Sequence, residues 1–234
     1  MNLFYSKNTT INQNEIVILD QENRHLTKVL RKKIGDKIYV TNGEGVLFNC
    51  VIEDSNKNKS VLRIQNYSVF NDNFPKLKIG ISLIKKTDRF EWFLEKATEI
   101  GVSEITPIIS DNSERRKFNY DRATKLILSS MKQSLQYKLP ILNNPITFLD
   151  YISETDDYYD SYIATCHGDG LDLFDKKLCT GNNSEILIGP EGGFTLNEIG
   201  LAKKANFVPV SLGKNRLRTE TAGVVVCSMF MSIN

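Results

Sequence analysis

The stretch that decides the fold is Glu185-Ile-Leu-Ile-Gly-Pro-Glu-Gly-Gly-Phe-Thr-Leu-Asn-Glu198. Its first part, Glu185–Ile188, is an apolar run that predicts a buried strand. Thr195 and Glu198 have the spacing of a capping box, which predicts the start of a helix. Three glycines around a Pro-Glu pair lie between the two, more than a tight turn needs, so we interpret Ile188–Phe194 as a ligand-binding loop. A loop of this kind predicts an open α/β sheet that binds its ligand beyond the carboxyl ends of its strands.

From Lys76 onwards, patterns typical of strands and patterns typical of helices alternate along the chain. Apolar runs predict strands at Leu77–Ile84, Ile105–Ser110, Tyr162–Cys166, Glu185–Ile188 and Phe207–Leu212. Apolar residues at helical spacing predict one helix from a capping box of Asp88 and Glu91 to Gly101, and others over Asn119–Tyr137, Thr195–Ala205 and Thr219–Met231. The repeated order of strand and helix predicts a parallel sheet covered by helices.

Residues 1–73 show a different pattern, with short β-like runs separated by turn-rich pieces. The runs predict strands at Glu15–Leu19, Lys37–Thr41, Val46–Glu53 and Val61–Val69, and one helix over Glu22–Lys33. In the third strand, alternate residues are apolar, as on the inner face of a small barrel: Val46, Phe48, Cys50 and Ile52. Because Phe70–Pro75 is predicted to be a linker, we expect a small β domain at 1–73 and an α/β domain at 74–234.

The composition of the 234 residues is typical of a soluble globular chain, with 41% hydrophobic and 25% charged residues. These values exclude disorder, collagen and coiled coil. No apolar run reaches the roughly 18 residues of a membrane span, and the first residues lack the pattern of a secretory signal. The four cysteines are widely separated without a CxxC pair, which favours reduced thiols in a cytoplasmic protein.

The net charge is only +2, but the basic residues are clustered. One cluster comprises Arg24, Lys28, Arg31, Lys32, Lys33 and Lys37, and a second is Arg115-Arg116-Lys117. The charged residues in 150–185 are mainly acidic. A basic cluster in a small N-terminal domain is typical of a phosphate-backbone partner, although a solvated surface accounts equally well for either cluster alone.

The sequence motifs of several common enzyme chemistries are absent from this sequence. The two histidines, His25 and His167, are far apart without metal-ligand spacing, so a transition-metal site is not expected. GxxxxGK[ST], GxGxxG and GxSxG are all absent, which argues against a Walker-type phosphate loop, a standard dinucleotide fold and a nucleophile elbow. The α/β domain must bind its ligand with a different loop.

A second dense segment, Ser211–Ala222, again leads from a strand through glycine into polar residues and a helix start, with Thr219 as its expected cap. Arg218 and Glu220 belong to this segment. Helix capping or a surface ion pair would explain either of these two side chains by itself. We expect this loop and Ile188–Phe194 to end neighbouring strands and to form one pocket.

The segments ILIGPEGGFTLNEI (186–199) and SLGKNRLRTETA (211–222) together resemble the signature of the RsmE family of SPOUT methyltransferases. Glu95–Ser110 agrees with this family, as does His25–Arg31 with the following Gly35-Asp36, so the resemblance spans nearly the whole chain. The segment Lys132–Gln136 departs from it, because many members of the family carry Glu-Gln-Ser/Cys-Gly-Arg there. The acid and the arginine of that pattern are missing, which leaves the segment without an assigned role.

The resemblance implies a PUA-like β-barrel followed by a SPOUT-type α/β domain with a trefoil knot, working as a homodimer. It implies S-adenosylmethionine-dependent methylation of N3 of a uridine in the decoding region of 16S ribosomal RNA, the RNA of the small ribosomal subunit, and no metal or membrane partner. Carried onto this chain, the implied cofactor-binding residues are Thr165, Ile188, Gly189, Gly192, Gly193, Leu212, Gly213 and Leu217.

Uracil N3 must lose its proton before it can attack a methyl group, which calls for a carboxylate and a cation. Glu191 and Glu220 are the candidate acids and Arg218 the candidate oxyanion partner. An equally good alternative for Glu220 is a favourable interaction with the dipole of its own helix. The candidate phosphate contacts are Arg24, His25, Lys28, Arg31 and Lys32. A structural role is the alternative for His25.

Two other functions remain open at the level of sequence. One is a different SPOUT enzyme, which would methylate another RNA or a ribose hydroxyl. The other is a non-enzymatic RNA-binding module with a degenerate α/β domain. The complete segments Gly189–Gly193 and Arg218–Ala222 argue against degeneracy.

Overall fold

The computed structural model describes residues 2–70, 74–154, 158–168 and 170–234. The chain forms two compact units. The first contains Met1–Asn73 together with Met131–Leu139, and the second contains Phe74–Ser130 and Pro140–Asn234. The centre of the predicted linker, residues 71–73, lies outside the described residues. The division into functional domains at 73 and 74 stays a prediction.

Among the described residues, five strands form the sheet of the first unit. They are β1 (Leu3–Tyr5), β2 (Glu15–Leu19), β3 (Lys37–Thr41), β4 (Val46–Ser55) and β5 (Lys59–Val69). The strands pair in the order β1-β3-β4-β5-β2, with β1 parallel to β3 and the other pairs antiparallel. The barrel expected here is therefore a curled half-barrel, because hydrogen bonds do not join β1 to β2. The alternating residues of β4 lie inside, since Phe48, Cys50 and Ile52 are at most 2% exposed.

The helix predicted over Glu22–Lys33 is shorter and less regular than expected. It consists of α1 (Asp20–Arg24) and a π-helical turn (His25–Val29). Leu26 is fully buried and holds the turn against the sheet. Arg31 then adopts a left-handed conformation with φ 51°, which ends the helical path.

The segment Met131–Leu139 belongs to the first unit, although the sequence order suggested the α/β domain. The Tyr137 carbonyl accepts hydrogen bonds from the Thr41 hydroxyl and the Gly45 amide, both at 2.9 Å. The Lys132 ammonium pairs with the Glu22 carboxylate. Leu135 has φ 57°, a left-handed conformation that favours glycine.

The second unit contains a sheet in which all pairs are parallel, and among the described residues it has seven strands. They are β6 (Leu77–Ser82), β7 (Glu104–Ile109), β8 (Ile141–Leu142), β9 (Ile146–Thr147), β10 (Asp160–Ala164), β11 (Ser184–Ile188) and β12 (Val208–Val210). The strand order is β12-β10-β11-β6-β7-β8, with β9 also paired to β7. The predicted parallel sheet is thus confirmed.

The helices along this part of the chain are α2 (Thr87–Ile100), α3 (Tyr120–Gln133), α4 (Phe148–Ser153), α5 (Phe174–Lys177), α6 (Leu196–Lys204) and α7 (Thr219–Ile233). The capping box of Thr195 and Glu198 is present at the start of α6. Gly101 ends α2 with φ 107°, as its position predicts. The capping box of Asp88 and Glu91 was wrong, because α2 begins at Thr87 without a side-chain cap. None of these helices, within the described residues, is both long and apolar enough to cross a membrane.

Candidate active site

A pocket lies at the carboxyl ends of β12, β10 and β11, which are adjacent in the second sheet. Its volume is about 690 Å³ when the solvent space of its open mouth is included. The lining residues come from the loops after these strands and from the start of α7: Ala164, Thr165, Cys166, His167, Ile188, Gly189, Pro190, Glu191, Gly193, Phe194, Ser211, Leu212, Gly213, Asn215, Arg216, Leu217, Thr219 and Ala222. The sheet therefore gathers segments that are distant in sequence.

The loop after β11 is folded back tightly on itself. A Cβ atom on Gly189 would lie 3.0 Å from the Phe194 amide nitrogen and 3.2 Å from the Gly193 carbonyl carbon, so a side chain there would displace the loop. The Asn112 side-chain amide donates to the Gly193 carbonyl at 2.9 Å. Phe194 is buried against Phe148, with ring centroids 5.3 Å apart. The loop is thus held from both sides and exposes backbone to the pocket.

The loop after β12 is hydrogen-bonded to the loop after β11. The Thr219 hydroxyl donates to the Gly189 carbonyl at 2.9 Å, and the Arg216 guanidinium donates to the Glu191 carbonyl at 3.2 Å. Thr219 was expected to cap α7, but Arg218 is the cap residue and Thr219 is the first residue of the helix. Its hydroxyl is therefore free to bridge the two loops.

The two loops do not end directly neighbouring strands, contrary to expectation, because β10 lies between β11 and β12. The end of β10 therefore forms the middle of the pocket. The Thr165 amide donates to the Val210 carbonyl at 3.0 Å, and the Thr165 hydroxyl accepts from the His167 amide at 3.0 Å. These bonds turn the chain across the pocket floor and bring Cys166 and His167 into its lining.

Seven of the eight residues predicted to bind a cofactor line the pocket: Thr165, Ile188, Gly189, Gly193, Leu212, Gly213 and Leu217. Gly192 is outside the lining, and a Cβ there would meet the Asn112 side chain at 3.3 Å. The sequence analysis did not single out Phe194, Asn215 or Arg216 individually. All three lie in the two polar, glycine-rich loops, and this position in the sequence was the signal that could have identified them as lining residues.

The three candidate catalytic residues have different surroundings. Arg218 is exposed at the start of α7. Glu191 is exposed at the pocket, and its carboxylate accepts from the Lys85 amide at 3.1 Å. Glu220 is only 7% exposed and lies 3.7 Å from the Arg89 guanidinium of α2, outside the pocket lining. Arg218 is likewise outside the pocket lining, so only Glu191 of the three lines the pocket, and Glu220 differs from the other two in being buried.

The candidate phosphate contacts all lie on the first unit. Arg24, His25, Lys28 and Arg31 are exposed and Lys32 is half-buried, on α1, the π-helical turn and the residues after it. The His25 ring packs 5.9 Å from the Phe4 ring, which agrees with the structural alternative for this residue. Lys28 and Lys32 line a groove with two further lysines, Lys33 and Lys57.

In the part of the chain that the structure describes, no three His, Cys, Asp or Glu side chains are grouped so that they could hold a metal ion. Two cysteines are deeply buried, and burial raises the pKa of both the Cys50 and the Cys227 thiols to about 12. All four cysteines are free.

A parallel α/β sheet with a pocket at its carboxyl edge, in a chain that also contains a small β unit, is typical of an α/β enzyme with an accessory module. Comparison with known families makes this specific. A model described as the RNA methyltransferase domain matches residues 72–231, and one described as the RNA methyltransferase PUA domain matches residues 18–65. Proteins named ribosomal RNA small subunit methyltransferase E are 32% identical in Mesomycoplasma hyopneumoniae and 29% in Rickettsia conorii. These alignments cover 91% and 95% of this chain and 92% of each relative.

The chain belongs to this family of RNA methyltransferases, the RsmE family, as the sequence resemblance implied. Among solved structures, a probable rRNA-methyltransferase from Porphyromonas gingivalis has a TM-score of 0.93 at 35% identity, covering 100% of this chain and 98% of its own. A ribosomal RNA small subunit methyltransferase E from Neisseria gonorrhoeae, solved with bound S-adenosyl methionine, has the same fold. Its TM-score is 0.87 at 24% identity, over 99% of this chain and 97% of its own. The fold is a PUA-like domain followed by a SPOUT-type methyltransferase domain.

Proposed function

We propose that this chain transfers the methyl group of S-adenosylmethionine to N3 of one uridine in the decoding region of 16S ribosomal RNA. The observation that carries the proposal is the pocket in which the loops after β10, β11 and β12 are joined by the Thr219–Gly189 and Arg216–Glu191 hydrogen bonds. The names of the curated relatives support the RNA substrate, and the Neisseria structure supports the cofactor.

The pocket fits a bent, mostly backbone-bound cofactor. The Gly189 turn leaves no room for a Cβ on its inner side, and apolar atoms of Ile188, Leu212 and Leu217 line the cavity. When bound there, S-adenosylmethionine supplies a methyl group activated by a sulfonium. The residues we propose to hold it are Thr165, Ile188, Gly189, Gly192, Gly193, Leu212, Gly213 and Leu217. They orient the methyl carbon toward the open mouth and exclude water behind it.

At the mouth of the pocket, the chain must accept the N3 proton of uracil and stabilise the charge that develops on the neighbouring carbonyl oxygens. We assign the first role to the exposed Glu191 carboxylate and the second to Arg218. Glu220 is a third candidate for the chemistry. Its burial and its pairing with Arg89 favour the other role considered for it, an acid that stabilises the start of α7.

Substrate binding, in this proposal, draws on Arg24, Lys28, Arg31 and Lys32 of the PUA-like domain, with His25 beside them. We further propose that the division at residues 73 and 74 separates an RNA-binding from a catalytic domain, that the catalytic domain carries the trefoil knot of its family, and that the protein works as a cytoplasmic homodimer. Sedimentation of the purified chain would test the dimer directly.

The decisive experiment is methyl transfer from labelled S-adenosylmethionine to small ribosomal subunits that lack the modification, followed by nucleoside mass spectrometry. The expected product is 3-methyluridine. Another methylated nucleoside would keep the enzyme class and overturn the substrate. No methyl transfer and no cofactor binding would overturn the proposal in favour of a binding module.

The residue roles require single-turnover rates at saturating cofactor. We expect Arg218→Ala and Glu191→Gln to slow the chemical step by about 10²-fold or more, because each removes a group that acts on the developing charge. Glu220→Gln should keep most of the rate and lower the stability instead. Wild-type rates for Arg218→Ala and Glu191→Gln, with normal cofactor binding, would remove both from the chemistry.

The role of the PUA-like domain is tested by the salt dependence of RNA binding. Arg31→Glu with Lys32→Glu should weaken binding and flatten its salt dependence, since each lost phosphate contact lowers the slope by about 0.7–0.9. A matched control is Lys203→Glu with Lys204→Glu in the last turn of α6. An unchanged slope for the first variant would contradict the assignment.

A further inference from the structure

The basic segment Arg115-Arg116-Lys117, which the proposed chemistry does not use, lies in the loop between β7 and α3. The neighbouring loop, between β6 and α2, carries Lys85 and Lys86. Because β6 and β7 follow β11 in the sheet order and all three strands are parallel, both loops lie at the same edge as the pocket. The second basic cluster therefore flanks the candidate active site within one unit.

This loop has a defined conformation. The hydroxyls of Ser82, Ser110 and Ser113 form a buried chain, with oxygen–oxygen distances of 3.1 and 3.0 Å. The Arg115 guanidinium donates to the Lys117 carbonyl at 2.7 Å and to the Thr87 hydroxyl at 2.5 Å. Arg115 thus serves as an internal support that fixes the loop and leaves the next two side chains, Arg116 and Lys117, exposed.

Hydrogen bonds attach the same loop to the glycine-rich loop of the pocket. The Asn112 side chain donates to the Gly193 carbonyl, and the Asp111 amide donates to the Glu198 carboxylate at 2.9 Å. The Lys85 amide donates to the Glu191 carboxylate on the other side. The basic surface is therefore connected to the mouth of the pocket by direct bonds.

Most charges near this edge are neutralised by partners. Lys85 pairs with Glu114 at 2.9 Å, and this hydrogen bond raises the pKa of the Lys85 ammonium. Arg122 pairs with Glu91, and Arg89 with Glu220. In contrast, the exposed side chains of Lys86, Arg116 and Lys117 have no carboxylate within 4.0 Å among the described residues. These three cations form the basic rim of the pocket and are available to an external anion.

We propose that the basic rim (Lys86, Arg116 and Lys117) binds backbone phosphates of the RNA strand next to the target nucleotide. The proposal rests on the function proposed above and places a second RNA contact on the catalytic unit itself. A base that leaves its stack to enter the pocket brings its flanking phosphates to the pocket mouth. Cations there fix the register of the strand without reading its sequence, as phosphate contacts do in general.

The test uses the full-length protein and small ribosomal subunits that lack the modification. Arg116→Gln with Lys117→Gln should bind the subunits about 10-fold more weakly at 0.1 M salt, and the slope of log K against log salt should fall by about 1.5 for two lost contacts. KM for the RNA should rise by a similar factor while kcat and the Kd for S-adenosylmethionine stay within twofold of wild type. The thermal midpoint of unfolding should not change, since both side chains are exposed.

The matched control, Lys203→Gln with Lys204→Gln, removes two exposed charges from the last turn of α6, at the opposite edge of the same sheet. It should leave affinity and salt slope at wild-type values. If the wild-type protein methylates the subunits and the Arg116/Lys117 variant behaves like this control, the proposed role of the basic rim is wrong. The proposed function would then still stand. Weaker binding at an unchanged salt slope also overturns the assignment to phosphates. A wild-type protein that neither binds nor methylates the subunits overturns both proposals.

Discussion

The two edges of the second sheet differ in their charged residues: the charges in one row at the amino edge all have protein partners, whereas three exposed cations at the carboxyl edge have no carboxylate partner among the described residues. At the amino edge, Ser161, Glu185, Lys78 and Glu104 are register neighbours across β10, β11, β6 and β7. Glu185 is 6% exposed and accepts from the Ser161 hydroxyl at 2.5 Å and from the buried Tyr151 hydroxyl at 3.4 Å. Lys78 lies 3.8 Å from Glu104 and 4.1 Å from the centre of the Tyr159 ring. Every charge in this row faces a protein partner.

At the carboxyl edge, the polar groups face a pocket and the solvent. Residues of the glycine-rich loop line the cavity, and the three cations of the basic rim have no carboxylate partner among the described residues. A closed polar network stabilises the fold, whereas open donors and cations can bind a ligand. Changes at the amino edge should therefore mainly affect stability, and changes at the carboxyl edge should mainly affect binding.

The largest expected effect is at the amino edge, from Glu185→Ala. The substitution removes the carboxylate to which the buried Tyr151 hydroxyl and the half-buried Ser161 hydroxyl donate, which should cost about 2–4 kcal/mol of unfolding free energy. Urea unfolding followed by the fluorescence of Trp92 measures it, because this single tryptophan lies on α2 of the same unit. The Kd for S-adenosylmethionine should be unchanged.

The control for this prediction is Glu154→Ala, which removes an exposed carboxylate after α4 and should change the unfolding free energy by less than about 0.5 kcal/mol. If Glu185→Ala weakened cofactor binding as strongly as it destabilised the protein, the two edges would be coupled. The separation of stability from binding would then be wrong.

The second effect is at the carboxyl edge, from Gly189→Ala. The new Cβ would lie 3.0 Å from the Phe194 amide nitrogen, so the loop must shift and the pocket lining with it. We expect the Kd for S-adenosylmethionine, measured by calorimetry, to rise at least about 10-fold, or about 1.4 kcal/mol. Loss of stability should be the smaller effect, because the loop lies at the surface.

Gly200→Ala is the matched control, since Gly200 lies within α6 and a Cβ there meets nothing within 4 Å. It should stabilise the helix by about 0.5–1 kcal/mol and leave cofactor affinity unchanged. Normal cofactor affinity in Gly189→Ala would show that the turn tolerates a side chain and that cofactor binding does not require glycine at this position.

Local features of this fold were predictable from sequence, because they depend on residues close together in the chain. The capping box of Thr195 and Glu198, the stop at Gly101 and the inward phase of β4 are of this kind. The strands at Glu15–Leu19 and Lys37–Thr41 have the predicted bounds. Short elements were missed: β1, β8, β9, α4 and α5 contain too few residues for a periodic pattern.

Features that depend on distant partners were not predictable. Met131–Leu139 joins the first unit through the Tyr137 carbonyl and its bonds to Thr41 and Gly45, about ninety residues away. Glu91 was taken for a capping residue, yet its carboxylate pairs with Arg122 of α3. At the site, the two loops and eight of the eighteen lining residues were predicted, but the position of β10 between the two loops follows only from the strand order.

A smaller effect concerns pH. Burial, reinforced by the Glu185 charge, raises the pKa of Tyr151 well above its usual value of about 10. The unfolded chain therefore loses the phenol proton first, so stability is complete below pH 10 and falls as the pH rises beyond it. Between pH 8 and 10.5, wild type should lose about 0.8 kcal/mol more unfolding free energy than Tyr151→Phe. Tyr158→Phe, at an exposed ring, should follow the wild-type curve; equal losses in all three proteins would contradict the role of Tyr151.

The smallest expected effect is on cofactor affinity and concerns Arg216 at the mouth of the pocket. The Arg216 guanidinium joins the two loops through one exposed hydrogen bond of 3.2 Å to the Glu191 carbonyl. Such a bond contributes about 0.5 kcal/mol, so Arg216→Met should raise the Kd for S-adenosylmethionine about twofold without changing stability. Lys214→Met, which removes an exposed charge from the same loop, should have no effect. A change of more than 10-fold in Arg216→Met would mean that the guanidinium contacts the bound cofactor itself, because a single exposed bond between loops cannot account for it.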